Sequence, residues 1–310
     1  MKRLLLLFLL STSLAGCNSE PEITDDLLEG KVLMDASLSN RAQYLVSHAK
    51  PNPTAAERVK PVVIAVHGFS ASTFEWDEFR QWAGTRTDFS ISQVLMGGHG
   101  QDYETFKAAT WQDWRQPVME EYTRLEQAGY TNISLLGSST GCAVLLEMLG
   151  SGYFRDRLQP RHVLLVDPIV IPSNKTLSLV GMVGPLIGYT EAEGTADEKK
   201  YWYTYRPYQT LQELRNLTTK VRKELQRGIT LPGTTTMKVY KSERDDVADP
   251  VSAVLIYKGV QTGAGQPIQV TMVPSELHVF TRLSLRPNPT AQDLENQRQT
   301  FTDIATILTQ

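Results

Sequence analysis

The chain has 310 residues, of which 41% are hydrophobic and 21% are charged, a composition typical of a globular protein. This composition excludes an intrinsically disordered chain, a collagen and a coiled coil. The 31 Lys and Arg residues and 34 Asp and Glu residues give a net charge of −3. Because there is no basic excess to bind phosphate backbones, we expect no nucleic-acid partner.

The N-terminal segment predicts a secretory signal rather than part of the fold. Lys2 and Arg3 precede an apolar run at 4–10 that is too short to remain in a bilayer as a spanning helix. The sequence LAGC follows at 14–17 and resembles the lipobox of bacterial lipoproteins. That resemblance implies a mature protein that begins at Cys17 and is held in a membrane by lipid on this cysteine. A plain secretion signal with an incidental cysteine is the alternative.

The domain boundaries follow from this interpretation. We expect residues 1–16 to be the signal peptide, residues 17–25 to be a lipidated polar tether and residues 26–310 to form one domain. If the host has two membranes, Asn18 lacks the aspartate associated with inner-membrane retention. The lipoprotein resemblance then implies a protein of the outer membrane that faces the periplasm.

Short apolar runs alternate with amphipathic segments along the rest of the chain. This alternation predicts an α/β fold in which a mostly parallel sheet is covered by helices on both faces. In such sheets, functional residues concentrate at the carboxyl ends of the strands. The predicted central strands cover residues 62–66, 133–136, 163–166, 237–240 and 268–273.

A few residues predict where helices begin and end. A helix over 140–149 follows the second of these strands directly and stops at Gly150. Asp249 is expected to cap a helix whose first turn holds Pro250. Pro117 lies within another amphipathic stretch, so the helix there either starts late or is kinked.

The strand pattern lapses in the middle of the chain. We expect an insertion at about 171–230 that forms a helical cap over the active face. The alternative is a helical excursion that packs away from any site. Five residues of this insertion are candidates to line a channel for an acyl chain, namely Val180, Met182, Val183, Leu186 and Trp202.

The sequence GSSTG at 137–141 contains the pattern GxSxG, which alone would be weak evidence. It follows a predicted strand and opens a predicted helix, which is the setting of a nucleophile elbow. The flanking glycines leave room for the sharp turn that exposes the central serine. We therefore predict that Ser139 is the nucleophile and that Ser138 is structural.

A serine hydroxyl is a weak nucleophile until a base takes its proton, so a histidine must reach Ser139. The chain has five histidines, and in folds with this elbow the acid and the histidine follow the nucleophile along the sequence. Three of the five precede Ser139. His162 begins a strand, where we expect a partly exposed structural residue. His278, between the last predicted strand and the terminal helix, is therefore the predicted general base.

The acid that orients this histidine is predicted among three aspartates that follow strand 237–240. Asp249 is expected to cap a helix and Asp246 to be solvated, so Asp245 is the preferred acid. Asp167 is the chief rival, because it ends another central strand and some lipases have their acid at that point.

Together these motifs resemble the α/β-hydrolase fold, in the branch of bacterial carboxylesterases and monoacylglycerol lipases. The resemblance covers about residues 40–310. Thr140 and Cys142 depart from the bulky residue and the glycine common in that branch, which affects the shape of the pocket. The matching segments occur in family order and are HGF at 67–69, GHG at 98–100, GSSTG at 137–141, the acid loop at 245–250 and LHV at 277–279.

The resemblance also implies roles for residues outside the triad. The backbone N–H groups of Phe69 and Thr140 would form the oxyanion hole. His67 and His99 would bond loops and take no part in catalysis. Cys142 lies in an apolar stretch, and we expect it to be a buried packing residue rather than a nucleophile.

The expected activity is that of a serine hydrolase that cleaves carboxylic esters, either acyl esters or monoacylglycerol-like lipids, through an acyl-enzyme. The sequence contains no HExxH, no paired cysteines and no carboxylates at metal-ligand spacing, so we expect no metal and no cofactor. A thioesterase or lipid acyltransferase with the same triad is the alternative, because the triad does not determine which acceptor takes the acyl group. A non-catalytic envelope binding protein is less favoured, since binding requires no complete triad.

Overall fold

The structure is a computed structural model that describes residues 45–84, 86–173, 188–192 and 194–310. Its strands are β1 (Leu45–Ser47), β2 (Val62–Val66), β3 (Ser90–Val94), β4 (Ile133–Ser138), β5 (His162–Val166), β6 (Tyr189–Glu191), β7 (Tyr205–Pro207), β8 (Ile229–Thr230), β9 (Thr236–Ser242), β10 (Val260–Gln261) and β11 (Gln269–Val273). Its α-helices are α1 (Ala55–Arg58), α2 (Asp77–Trp82), α3 (Tyr103–Ala108), α4 (Trp111–Ala128), α5 (Thr140–Gly150), α6 (Tyr208–Arg227), α7 (Val251–Gly259) and α8 (Ala291–Leu308). Single 3₁₀ turns cover Thr73–Trp76 and Glu198–Lys200.

The central sheet has seven strands in the order β1-β3-β2-β4-β5-β9-β11. β1 pairs antiparallel with β3, and every other neighbouring pair is parallel. β2, β4 and β5 are buried along their whole length, as expected of strands covered on both faces. The prediction of an α/β fold with a mostly parallel sheet is confirmed.

Two hydrophobic cores lie on opposite faces of the sheet, because successive residues of a strand point to opposite sides. In β2, Ile64 belongs to the first core and Ala65 to the second. The first core contains residues of α4, α5, α6 and α7, and the second contains residues of α2 and α8. The two helical layers therefore keep water from both faces and leave the strand ends to carry the site.

β3 lies inside the sheet between β1 and β2, although its sequence did not predict a strand. Its polar residues are buried but bonded. Ser92 Oγ donates to a carboxylate oxygen of Glu121, and Gln93 Nε2 donates to the carbonyl of Thr73 at 2.8 Å. These bonds offset the cost of burying polar side chains in the sheet.

α4 begins at Trp111, before Pro117, whereas the sequence predicted either a late start or a kink at this proline. Thr110 and Asp113 form a capping box at its start, and the helix continues through Pro117, so the expectation of a late start is wrong. Pro117 has no N–H to donate to the Asp113 carbonyl. The loop at Gly97 packs against this turn, where an added Cβ would lie 2.2 Å from Asp113 O. The helical turn that lacks this hydrogen bond is therefore covered by the loop at Gly97.

The predicted insertion contains a hairpin and a long helix. β6 pairs antiparallel with β7, and α6 follows directly. Leu217 and Val221 of α6 are fully buried in the first core, so this half of the helix is part of the layer over the sheet. The cap boundary of 171–230 stays a prediction. Four of its candidate lining residues lie outside the described residues, namely Val180, Met182, Val183 and Leu186.

The predicted signal peptide, the tether and Cys17 also lie outside the described residues. Within the described part of the chain, no helix combines the length and the apolar character needed to cross a membrane.

His162, the first residue of β5, is more enclosed than the sequence predicted. It is 5% exposed rather than partly exposed, because β5 lies between β4 and β9 and helices cover it. Its Nδ1 lies 2.8 Å from the hydroxyl of Thr236, and its Nε2 has no hydrogen-bond partner among the described residues. Burial lowers the pKa of His162 to about 4.

This buried imidazole makes the stability depend on pH. In the unfolded chain a histidine titrates near pH 6.5, so below that pH the unfolded state binds more protons than the folded one. The free energy of unfolding should therefore fall as the pH is lowered from about 6.5 towards 4. Between pH 8 and pH 5, we expect the loss to be smaller in His162→Leu than in the unsubstituted chain.

Urea unfolding followed by circular dichroism at both pH values measures this difference. The exposed His48 provides the control, since His48→Leu should keep the full pH dependence. If His162→Leu and the unsubstituted chain lose the same amount, the assignment of a neutral buried imidazole is wrong.

Candidate active site

The turn between β4 and α5 holds Ser139 in a backbone conformation that few residues adopt, with φ +49° and ψ −113°. Close packing on both sides explains the two glycines of the motif. A Cβ at Gly141 would lie 2.4 Å from the carbonyl oxygen of Val66, and one at Gly137 would lie 2.9 Å from the nitrogen of Cys142. The sequence therefore makes a sharp turn that projects Ser139 from the end of β4.

Three loops at the carboxyl ends of parallel strands bring the predicted triad together. Ser139 Oγ lies 2.8 Å from His278 Nε2, and His278 Nδ1 lies 2.8 Å from Asp245 Oδ2. A proton on Nδ1 is donated to Asp245, which leaves Nε2 free to accept the proton of the serine hydroxyl. The arrangement can therefore supply a general base at the oxygen of Ser139.

Asp245 is fixed by four contacts and is 4% exposed. Its Oδ1 accepts the backbone N–H groups of Val247 and Ala248, each at 2.9 Å. Its Oδ2 accepts from His278 and also from the ammonium group of Lys241. The carboxylate therefore cannot rotate away from the imidazole without losing hydrogen bonds on both of its oxygens.

Burial alone would raise the pKa of Asp245. The hydrogen bond and the charge of His278, together with the charge of Lys241, outweigh burial and hold the pKa of this carboxyl below its usual range. Asp245 therefore stays ionised at neutral pH and can stabilise a positive charge on His278.

The other two candidates of the acid loop have different surroundings. Asp246 is exposed and makes no hydrogen bond to His278 among the described residues. Asp249 Oδ1 accepts the N–H of Val251, the first residue of α7, at 2.8 Å. Asp249 thus bonds the start of the helix, one residue before the N-cap position.

Asp167, the rival acid, is fully buried but bonds other groups. Its Oδ1 accepts from the N–H of Ser242 at 2.7 Å and from Lys241 Nζ at 3.3 Å. Its Oδ2 accepts from Ser242 Oγ at 3.1 Å and from the N–H of Phe280 at 3.2 Å. Asp167 therefore joins the end of β9 to the loop that carries His278, while Asp245 contacts the imidazole.

Lys241 is the residue of this site that sequence reasoning missed. It is fully buried, and its ammonium group bridges Asp167 and Asp245. Carboxylate and imidazole atoms of Asp167, Asp245 and His278 lie within 4.8 Å of one another, a spacing that could hold a metal ion. Because the ammonium group of Lys241 contacts both carboxylates, a metal cation would have to compete with it for them. A lysine directly after the predicted central strand 237–240 was the available signal.

Two backbone N–H groups beside Ser139 fit the predicted oxyanion hole. Phe69 follows the end of β2, and Thr140 is the first residue of α5, where an N–H has no acceptor within the helix. Neither N–H donates to any of the described residues, and both residues line the same pocket as Ser139. They are therefore available to a substrate oxygen.

The two histidines of the neighbouring loops bond backbone groups. His67 Nδ1 lies 2.8 Å from the carbonyl of Gly68, and its Nε2 accepts the N–H of Met96 at 3.0 Å. His99 Nε2 accepts the N–H of Ser70 at 3.3 Å. Burial lowers the pKa of His67 to about 4 and that of His99 well below its usual value. Both rings are neutral and hold the loop after β2 in position.

Ser138 and Cys142 face away from the pocket. Ser138 Oγ donates to Glu75, a buried residue that also accepts the N–H of Gly68 at 2.7 Å. Cys142 is fully buried with its Sγ near the Val166 carbonyl, and burial raises the pKa of its thiol. The thiol therefore lacks the character of a nucleophile.

The pocket over Ser139 has a volume of about 730 Å³. Trp202, the one described residue among the five cap candidates, lines it, as do Leu211 and Leu214 of α6. Three arginines that sequence analysis did not single out also line it, namely Arg206, Arg282 and Arg286. The pocket thus has both apolar and cationic walls.

Comparisons with known proteins found relatives of similar sequence and similar fold, although no protein-family model matches the sequence. The chain is 24% identical over 220 residues to a thermostable monoacylglycerol lipase of Bacillus sp. (strain H-257), covering 68% of this chain and 80% of that enzyme. A structure from work on the metagenome-derived lipolytic enzymes LipS and LipT aligns with TM-score 0.67 and 16% identity, over 90% of this chain and 100% of that one.

A soluble variant of monoglyceride lipase from Saccharomyces cerevisiae, in complex with a substrate analogue, aligns with TM-score 0.64 and 11% identity. That alignment covers 85% of this chain and 90% of the yeast chain. The chain has the α/β-hydrolase fold. In this fold the elbow serine, the acid loop and the histidine loop meet at one edge of the sheet, as the residues of this chain do.

Proposed function

We propose that the protein is a serine hydrolase that cleaves carboxylic esters, either acyl esters or monoacylglycerol-like lipids, through an acyl-enzyme. The observation that carries this proposal is the continuous hydrogen-bonded chain from Ser139 through His278 to Asp245 at the wall of a pocket. The similarity to a Bacillus monoacylglycerol lipase and to lipolytic enzymes of the same fold supports it.

In this mechanism Ser139 Oγ attacks the ester carbonyl while His278 Nε2 takes its proton. Asp245 keeps the imidazole in the required tautomer and stabilises its positive charge. The N–H groups of Phe69 and Thr140 bind the oxygen on which negative charge develops, and one such donor is worth about 2.7 to 4 kcal/mol.

His278 then returns the proton to the leaving alcohol, which departs as the acyl-enzyme forms. A water molecule, activated by the same imidazole, attacks the acyl carbonyl and releases the acid. The wall formed by Trp202, Leu211 and Leu214 supplies apolar surface for the substrate. Each buried methylene of an acyl chain would gain about 0.8 kcal/mol from such contacts.

Two adjacent serines test this proposal. We expect Ser139→Ala to abolish hydrolysis of 4-nitrophenyl butyrate and labelling by a fluorophosphonate probe, because the attacking oxygen is removed. Ser138→Ala should keep most of both, since its hydroxyl bonds Val66 and Glu75 behind the turn. If both variants lose labelling equally while they remain folded, Ser139 is not the activated residue.

We further propose that lipid on Cys17 anchors the enzyme in the bacterial envelope, facing the periplasm where the host has two membranes. The LAGC sequence at 14–17 supports this. Cys17→Ser should move the protein from the membrane fraction to the soluble fraction of the producing cells, with unchanged activity on a water-soluble ester. A Cys17→Ser protein that still sediments with membranes would contradict the anchor.

A further inference from the structure

The pocket over Ser139 contains more cationic groups than an apolar acyl chain requires. Arg282 and Arg286 follow the histidine loop, and Arg206 belongs to β7. The acidic residues of the same wall either bond other groups or are exposed to solvent. Glu75 bonds Gly68 and Ser138, whereas Asp246 and Glu276 are exposed, and Glu276 pairs with Arg244 at 3.1 Å.

The three arginines differ in how their charge is balanced. Arg282 Nη1 lies 2.7 Å from a carboxylate oxygen of Glu198, and its guanidinium lies 4.4 Å from the centre of the Trp202 ring. Arg286 donates to the backbone carbonyl of His278. Among the described residues, neither Arg286 nor Arg206 has a carboxylate within salt-bridge distance, and Arg206 bonds only the hydroxyl of Ser70.

Arg206 lines the pocket and contacts the predicted oxyanion loop. Its Nε donates to Ser70 Oγ at 3.1 Å, and its guanidinium lies 5.9 Å from the centre of the Phe69 ring. The backbone of Ser70 is held in turn, because its carbonyl accepts the N–H of Tyr203 at 2.9 Å. Both Nη groups of Arg206 make no hydrogen bond to the described residues.

Arg206 is partly buried, so an anionic ligand beside it would replace hydration that its charge has lost. Guanidinium stays protonated at any working pH, so Arg206 cannot lose its charge as a buried lysine can. Burial lowers the pKa of Arg206, which means that the charged form has lost hydration. Two Nη groups that bond none of the described residues match the two oxygens of a carboxylate or a phosphate.

We propose that Arg206 binds an anionic group of the substrate, a carboxylate or a phosphate near the scissile carbonyl. This inference rests on the proposed function, because it assigns the charge of the ester that Ser139 attacks. Since Arg206 contacts the residue next to Phe69, the anion would lie close to the oxyanion hole rather than at the far end of an acyl chain. The natural ester is then an anionic one, and Arg206 is a specificity-determining residue.

Two matched substrate pairs test the proposal and distinguish the two anions. The first pair is the 4-nitrophenyl monoester of glutaric acid and the same compound with its free carboxylate blocked as a methyl ester. The second pair is lysophosphatidic acid and the monoacylglycerol with the same acyl chain. The measured quantity is the ratio of kcat/KM for the anionic ester to that for its neutral partner.

In at least one pair, we expect Arg206→Gln to lower this ratio by at least about tenfold. A hydrogen bond to a charged group contributes more free energy than a tenfold change requires. Gln retains a donor towards Ser70 but no charge. Arg206→Lys should lose less of the ratio, because it keeps the charge. The exposed Arg298 on α8 is the control, and Arg298→Gln should leave the ratio unchanged.

A purely structural role for Arg206 would lower kcat/KM for both members of a pair and leave the ratio unchanged. An unchanged ratio in both pairs therefore overturns the proposal while the hydrolase function stands. If the unsubstituted protein hydrolyses neither member of either pair and Ser139 is not labelled by a fluorophosphonate, the proposed function fails, and this inference fails with it.

Discussion

The hydrogen bond between Asp245 and His278 is the interaction on which the rest of the site depends. It joins the loop after β9 to the loop after β11, and it fixes the face of the imidazole that meets Ser139. Asp245 can make this bond because two backbone N–H groups and Lys241 hold its carboxylate. A buried carboxylate without such partners would favour its neutral form and would not stabilise an imidazolium.

Lys241 extends this constraint to Asp167. Two buried carboxylates at the ends of neighbouring strands would repel each other, and the ammonium group between them removes most of that repulsion. Asp167 in turn accepts the N–H of Phe280, two residues after His278. Lys241, Asp167, Asp245 and His278 therefore belong to one connected network. The position of the His278 imidazole is determined by charge pairing as well as by the backbone.

The parallel sheet explains why such distant residues meet. β4, β5, β9 and β11 end at the same edge, and each contributes one member of the site in the loop that follows it. The apolar runs of β4 and β5 could be read from the sequence because a strand buried on both faces needs apolar side chains throughout. The motif GSSTG, together with the chain order of serine, acid and histidine, then reduced the candidates for the triad to a few residues.

Other features could not be predicted because they depend on contacts between residues that are distant in the sequence. β3 contains Ser92 and Gln93, whose polarity is compatible with burial only because Glu121 and Thr73 lie opposite them. His162 appeared to be a strand-end residue, and only the neighbours of β5 make it buried. Arg206 lies in an aromatic stretch without any local pattern, and only the fold brings it to Ser70, Phe69 and the pocket wall.

We infer that Asp245, rather than Asp167, orients His278 during catalysis, and the turnover of three amide variants distinguishes the two carboxylates. In a related triad, replacing the acid by its amide lowers turnover by about ten-thousandfold, because the imidazole adopts the wrong tautomer. We expect folded Asp245→Asn to lose at least about a hundredfold in kcat on 4-nitrophenyl butyrate, whereas Asp249→Asn should keep most of its turnover. Normal turnover in Asp245→Asn, together with its loss in folded Asp167→Asn, would mean that Asp167 is the acid.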